Sequence, residues 1–164
     1  MSSAIKTATK TDFQALATAQ GREFVEECVV ALTRAGFAII GREIAFPRCG
    51  VDVDLLARNS AGVDFHIECK GSFRDRPGLQ RTDTLKKAIC NMLLLMADGR
   101  GPLLILTSHR PADGRGVTML RAAQAIIPFE VIVPRDDWKR LTRLAVATPT
   151  DLAGASWNFS KRLL

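Results

Sequence analysis

Residues Leu103-Leu104-Ile105-Leu106-Thr107 form an unbroken apolar run, preceded by Pro102 and followed by Ser108 and His109. A strand with one wet face alternates in polarity, whereas a strand covered on both faces does not. The run therefore predicts a strand between two layers of helix, and with it a sheet with parallel neighbours. The chain supplies the helices. Thr11-Asp12 is a helix start, and the apolar pattern after it runs to Ala35, with Phe24, Cys28, Ala31, Leu32 and Ala35 at helical spacing. Gly21 predicts a break in this stretch, and Gly36 a C-terminal stop. Leu79 to Ala97 is helical, with Leu85, Ala88, Ile89, Met92, Leu93 and Met96 on one side. Val117 to Ile127 gives a further helix after a loop at Pro111 to Gly116, and Asp136 and Asp137 open a last one through Leu144.

Between the first two helices the period changes to two. Phe37 to Phe46 reads as a strand stopped by Pro47. Val51-Asp52-Val53-Asp54-Leu55 alternates, and Leu56-Ala57 extends it. Asn59-Ser60-Ala61-Gly62 makes a hairpin connection to a third strand, Val63 to Lys70. Gly71 to Gly78 is a loop, and Phe129 to Val133 is a last short strand closed by Pro134. The fold class is thus α/β, a mixed central sheet of four to five strands flanked by helices, in the order α-β-β-β-α-β-α-β. The first three strands form an antiparallel meander, and the later ones need helical crossovers.

The 164 residues suit one domain, expected over 12–145, with a flexible N-terminal segment at 1–11 and a C-terminal extension of undefined structure at 146–164. An apolar fraction of 47% excludes a disordered chain. The longest apolar runs fall far short of the ~18 residues of a membrane span. The polar N-terminus shows no signal core, so a cytoplasmic protein is expected. Cys28, Cys49, Cys69 and Cys90 have no metal-ligand spacing, and His66 and His109 add none; the cysteines read as reduced core residues. The net charge of +6 is uneven: residues 71–164 hold 15 basic and 8 acidic side chains. A basic half favours an anionic partner such as nucleic acid.

The chemistry-bearing residues fall on two adjacent strands. Asp52 and Asp54 are two apart and share a face of theirs, and Glu68 and Lys70 share a face of the next. Val51, Val53 and Leu55 face the other way, as do Phe65, Ile67 and Cys69. If the hairpin closes, carboxylates and an ammonium converge. Such a group suits phosphodiester cleavage, in which a hard divalent cation on carboxylate oxygens polarises a phosphate and activates water, with a lysine beside it. Each row read alone is better explained as an exposed face of an ordinary strand, or a simple exposed ion pair for Glu68 and Lys70; only the spacing and element order together favour a site.

The string Gly50-Val51-Asp52-Val53-Asp54-Leu55, followed by Ile67-Glu68-Cys69-Lys70, resembles the PD-(D/E)XK nuclease superfamily. Asp54 precedes the Glu-x-Lys triplet by 14 residues, and the order of elements over 20–133 is similar to the family's. Val53 stands where the signature has proline. The resemblance implies a restriction-endonuclease-like fold and a Mg²⁺-dependent DNA nuclease, with Mn²⁺ substituting, acting as a homodimer. It implies Asp54 and Glu68 as metal ligands, with the backbone carbonyl of Cys69, and Lys70 as the catalytic lysine. Asp52 is accessory. Glu26 is the first-helix glutamate at the site, in competition with Glu23 and Glu27. A non-catalytic nucleic-acid-binding subunit and an RNA-directed nuclease share the same pattern.

Arg81, Lys86 and Lys87, on the helix after the site, are candidate phosphate contacts. Ser72, Arg74 and Arg76 follow Lys70 directly and are candidates for the same role. Trp138 and Trp157 read as packing residues, and His66 shares the polar face of Glu68.

Overall fold

The computed structural model describes residues 10–71, 78–111 and 114–154. Helix α1 (Lys10–Ala35) leads into strands β1 (Ala38–Phe46), β2 (Val51–Arg58) and β3 (Asp64–Lys70). A 3-10 turn at Gly78–Gln80 precedes α2 (Thr82–Ala97). Then come β4 (Leu103–Thr107), α3 (Gly114–Gln124), β5 (Phe129–Ile132), α4 (Trp138–Leu144) and α5 (Pro149–Gly154). The protein is α/β, with a mixed five-stranded sheet flanked by helices.

The strands lie in chain order, β1-β2-β3-β4-β5. The first three are antiparallel neighbours, and β4 and β5 run parallel to β3. The apolar run at β4 is buried along its whole length, as two-sided burial predicts. One core holds Phe24, Cys28 and Leu32 of α1 against Leu55, Phe65, Ile67, Leu104 and Leu106, with Leu141 and Leu144 of α4. The other holds Leu85, Ala88, Met92 and Leu95 of α2 against Val51, Val53, Leu103, Ile105 and Phe129, with Leu120 of α3. Both crossover helices, α2 and α3, pack on this second face, as two successive crossovers of one hand require.

Three local expectations are corrected. Helix α1 runs unbroken through Gly21. The ~1 kcal/mol helix cost of one glycine is outweighed by the buried face of Phe24, Cys28 and Leu32. Helix α3 begins at Gly114, inside the stretch read as a loop, and ends at Gln124 rather than Ile127. Its Gly116 is buried. The cysteines are free, as expected, but only Cys28 and Cys69 are buried; Cys49 is half-buried and Cys90 exposed. The helix stop at Gly36 holds: its φ is +107°, and it and Phe37 donate back to the Leu32 carbonyl at 3.1 and 3.0 Å.

The β2–β3 hairpin is fixed by Asn59, whose Oδ1 accepts the N–H groups of Ala61 and Val63. Its Nδ2 donates to the carbonyls of Leu144 and Ala147, tying the hairpin to the end of α4. The strands that carry the candidate site are therefore held at one end by the loop and on both faces by core. Among the described residues, no helix is long and apolar enough to cross a membrane.

Candidate active site

The β2–β3 ladder runs from Arg58 opposite Asp64 to Leu55 opposite Ile67. The next residue of β2 is Asp54. Its Oδ2 accepts the Cys69 N–H at 2.6 Å, so a side chain takes the place of the next backbone rung. Beyond this point β2 turns away from β3. Leu55 and Ala57 belong to the α1-side core, but Val51 and Val53 belong to the α2-side core. The expected single apolar face from Val51 to Leu55 is thus corrected. Strict alternation keeps one face only while a strand stays flat in its sheet, and β2 does not.

Three of the sequence-identified residues meet at this divergence. The Lys70 ammonium pairs with Glu68 Oε1 and lies 3.8 Å from Asp54 Oδ2. Asn91 of α2 donates to the same Glu68 oxygen at 3.0 Å. The Glu68 side chain is only 4% exposed, against 23% for Lys70 and 32% for Asp54. The alternative of a simple exposed ion pair does not describe Glu68, which lies beneath α2. Burial pushes the Glu68 carboxyl above its ordinary value, partly offset by Lys70. Burial also disfavours the Lys70 ammonium, but the carboxylates of Glu68 and Asp54 outweigh it and hold its pKa above the ordinary lysine value.

The backbone of Lys70 is clamped from β4. Thr107, fully buried, donates its hydroxyl to the Lys70 carbonyl at 2.8 Å, and the Ser108 N–H reaches the same oxygen at 3.2 Å. In an extended strand one residue's N–H and C=O point to the same side. The Lys70 carbonyl faces β4, so the Cys69 carbonyl faces β2, on the side where Asp54 stands. The Cys69 thiol points instead into the α1-side core, where a hydrogen bond with Cys28 and burial hold its pKa well above the ordinary thiol value.

Other candidates lie elsewhere. Asp52 is exposed, opposite Ala45 on the part of β2 that pairs with β1. Glu26 is not brought to the group: it is exposed and paired with Arg42 of β1, which lowers its pKa. Glu23 and Glu27 line a cleft of about 970 Å³ with Thr107, Ser108, His109 and Trp138, beside the C-terminal ends of β4 and β5. On α1, Phe24 packs against Gly71, just past the end of β3. Helical geometry puts Glu26 about 200° around α1 from Phe24, which explains why it misses.

Lys86 and Lys87 are exposed on α2, and Arg81, expected on the same helix, is exposed just before its first residue. Lys87 lies one turn before Asn91 on the same face, and Lys86 is displaced by about 100°. His66 is buried against Phe46, with ring centroids 5.3 Å apart, and among the described residues its Nδ1 has no hydrogen-bond partner. Trp138 is exposed rather than a core packing residue, with the Arg34 guanidinium 5.8 Å from its ring. Ser72, Arg74, Arg76 and Trp157 lie outside the described residues.

Sequence reasoning missed two members of the group. Asn91 was legible as the lone polar side chain between Ala88 and Ala97. Thr107 was legible as the polar end of an otherwise apolar strand. Among the described residues no set of three His, Cys, Asp or Glu side chains is grouped for metal binding; Asp54 and Glu68 are a pair. Compared with protein-family models, curated proteins and solved structures, the chain matches none.

Proposed function

We propose that this protein is a Mg²⁺-dependent nuclease that hydrolyses phosphodiester bonds of DNA on a restriction-endonuclease-like scaffold. The observation that carries this reading is the convergence of Asp54, Glu68 and Lys70 where β2 parts from β3. The donor set suits a hard cation. Two carboxylates already address one positive charge, and the Cys69 carbonyl faces the same gap. Asp54, Glu68 and that carbonyl would hold Mg²⁺ or Mn²⁺, which supplies Lewis acidity toward a phosphate oxygen and toward water. Lys70 keeps a positive charge at the place where a scissile phosphate gathers negative charge.

The strand path follows from charge. The cleft beside α1 is lined by four carboxylates, Glu23, Glu26, Glu27 and Asp136, against two guanidiniums, Arg34 and Arg135, a net negative balance that disfavours a phosphate backbone. Helix α2 offers Lys86 and Lys87 on its exposed surface, with Arg81 exposed just before its start. The nucleic acid is therefore assigned to the α2 side. Cleavage of both strands of a duplex would use two copies, one site per strand, which the mass in solution with bound DNA checks.

The test is incubation with supercoiled, linear, single-stranded and branched DNA, and with RNA, in Mg²⁺, in Mn²⁺ and in chelator. Cleavage of DNA that needs metal, and that Asp54→Asn abolishes, supports the reading. Asp52→Asn should be milder. A protein that cuts none of these substrates and binds neither metal by calorimetry overturns it. DNA binding without cleavage would favour the non-catalytic subunit, and cleavage of RNA alone the RNA-directed enzyme.

A further inference from the structure

We infer that Asn91 is a positioning residue that sets the orientation of the Glu68 carboxylate toward a bound divalent cation. The inference rests on the nuclease reading and names a residue which that reading does not contain. The argument starts from which oxygen is used. Both the Asn91 amide, at 3.0 Å, and the Lys70 ammonium are directed at Glu68 Oε1. Two donors on one oxygen fix the rotation of the carboxylate about its terminal bond and turn Oε2 away from them. Asp54 is held in the same way: the Cys69 N–H and the Lys70 ammonium both address Oδ2, at 2.6 and 3.8 Å. Each carboxylate is thus gripped by one oxygen and presents the other.

Asn91 suits this role through its place on α2. Its neighbours one residue on and one turn on, Met92 and Leu95, are fully buried, so the helix position is fixed by core packing. The amide is therefore delivered from a rigid element and not from a loop. It is also neutral, and an amide donates to Glu68 without competing for a cation. Hydrogen-bond donors behind metal-ligating carboxylates are worth about 10–100-fold in metal affinity or activity when removed.

The experiment compares wild type with Asn91→Leu, similar in branching but without a donor, and with Asn91→Ser, polar but too short to reach Glu68. Asn91→Gln, which keeps the amide, is the rescue variant. Mn²⁺ binding is measured by calorimetry, DNA affinity in chelator, and cleavage against metal concentration. Asn91→Leu and Asn91→Ser should bind Mn²⁺ about tenfold or more weakly and need correspondingly more metal for half-maximal cleavage. DNA affinity in chelator should be unchanged, and Asn91→Gln should recover part of the loss. Wild-type Mn²⁺ affinity in whichever of the Leu and Ser variants folds overturns the inference and leaves the nuclease reading intact. A wild-type protein that neither binds Mn²⁺ nor cuts removes both.

Discussion

Phe24 occupies the space that a β-carbon on Gly71 would need: built there, that carbon would lie 1.9 Å from the Phe24 ring. The residue after the Glu68-Cys69-Lys70 triplet is thus fixed as glycine by the approach of α1, and α1 sets where β3 ends. Gly71→Ala must push α1 outward or bend β3, and overpacking of this kind costs typically about 1–3 kcal/mol. Gly21 is the control. Nothing lies within 4 Å of its built β-carbon, so Gly21→Ala should raise stability by up to about 1 kcal/mol. Thermal melts of the two variants should shift in opposite directions. A neutral Gly71→Ala would show that this contact does not hold the helix.

The same packing divides what the sequence showed from what it hid. The element order, the burial of β4 on both faces and the antiparallel-then-parallel sheet were legible, because each follows from period and turn chemistry along a short segment. The approach of Asp54, Glu68 and Lys70 was legible from strand parity and hairpin length. Three things were not. The turn of β2 at Asp54 depends on where β3 stops pairing, which is a property of two strands together. The burial of Glu68 depends on α2 covering that face, and a Glu two residues before a Lys reads as solvated. The pairing of Glu26 with Arg42 depends on the rotation of α1 over β1, which the choice among three nearby glutamates does not reveal.

Because Glu68 is buried and Lys70 is its cation, these two residues also act on stability. Lys70→Met should leave a buried carboxylate without its partner, a defect worth roughly 3–5 kcal/mol. Glu68→Gln added to Lys70→Met should recover most of that loss, because a neutral amide no longer needs the ammonium. Chemical denaturation of the two single variants and the double variant forms a cycle, and strict additivity would exclude the coupling. Cleavage reads the same lysine differently. Lys70→Ala should lower it by about 10²–10⁴-fold with metal still bound.

The two neighbouring lysines of α2 should separate in their effect on DNA. Lys87 lies one turn from Asn91 on the site-facing side, and Lys86 is turned about 100° away. Lys87→Glu should weaken DNA binding on all sequences alike and flatten its dependence on salt, as loss of a phosphate contact does. Lys86→Glu should do less. Filter binding from 50 to 300 mM salt measures both. Equal losses would mean that the strand crosses the outer face of α2, and no loss in either would move it off this helix.

Thiol chemistry gives an independent check of the packing. Cys90 is exposed on α2, whereas Cys28 and Cys69 are buried together in the α1-side core. The thiolate attacks, and the Cys69 thiol is held well above its ordinary pKa by Cys28 and by burial. Under native conditions a maleimide should modify Cys90 first and Cys49 more slowly. Cys28 and Cys69 should react only on unfolding. Peptide mapping of the labelled protein identifies the order, and early modification of Cys69 would contradict the position of α1 over β3.

The last prediction concerns acid stability at the far edge of the sheet. Glu130 on β5 is buried, with Arg140 of α4 at 2.9 Å from its Oε2. Burial raises its pKa above 4.5, and Arg140 recovers only part of the shift. The folded protein thus holds this proton more tightly than the unfolded chain does. In the window from pH 4.5 up to the raised value, the native state carries more bound proton than the unfolded state, so this group's contribution falls as pH rises. Above the window the carboxylate is ionised in both states and its burial penalty is fully present. Below pH 4.5 both states are protonated and the contribution is flat. Glu130→Gln removes the titration but keeps an oxygen for Arg140. The difference in melting temperature between wild type and Glu130→Gln should therefore change across this window and level off on either side, while Glu68, titrating in both proteins, cancels. Parallel melting curves from pH 4 to pH 7 would show that the Arg140 pair leaves Glu130 with an ordinary carboxylate.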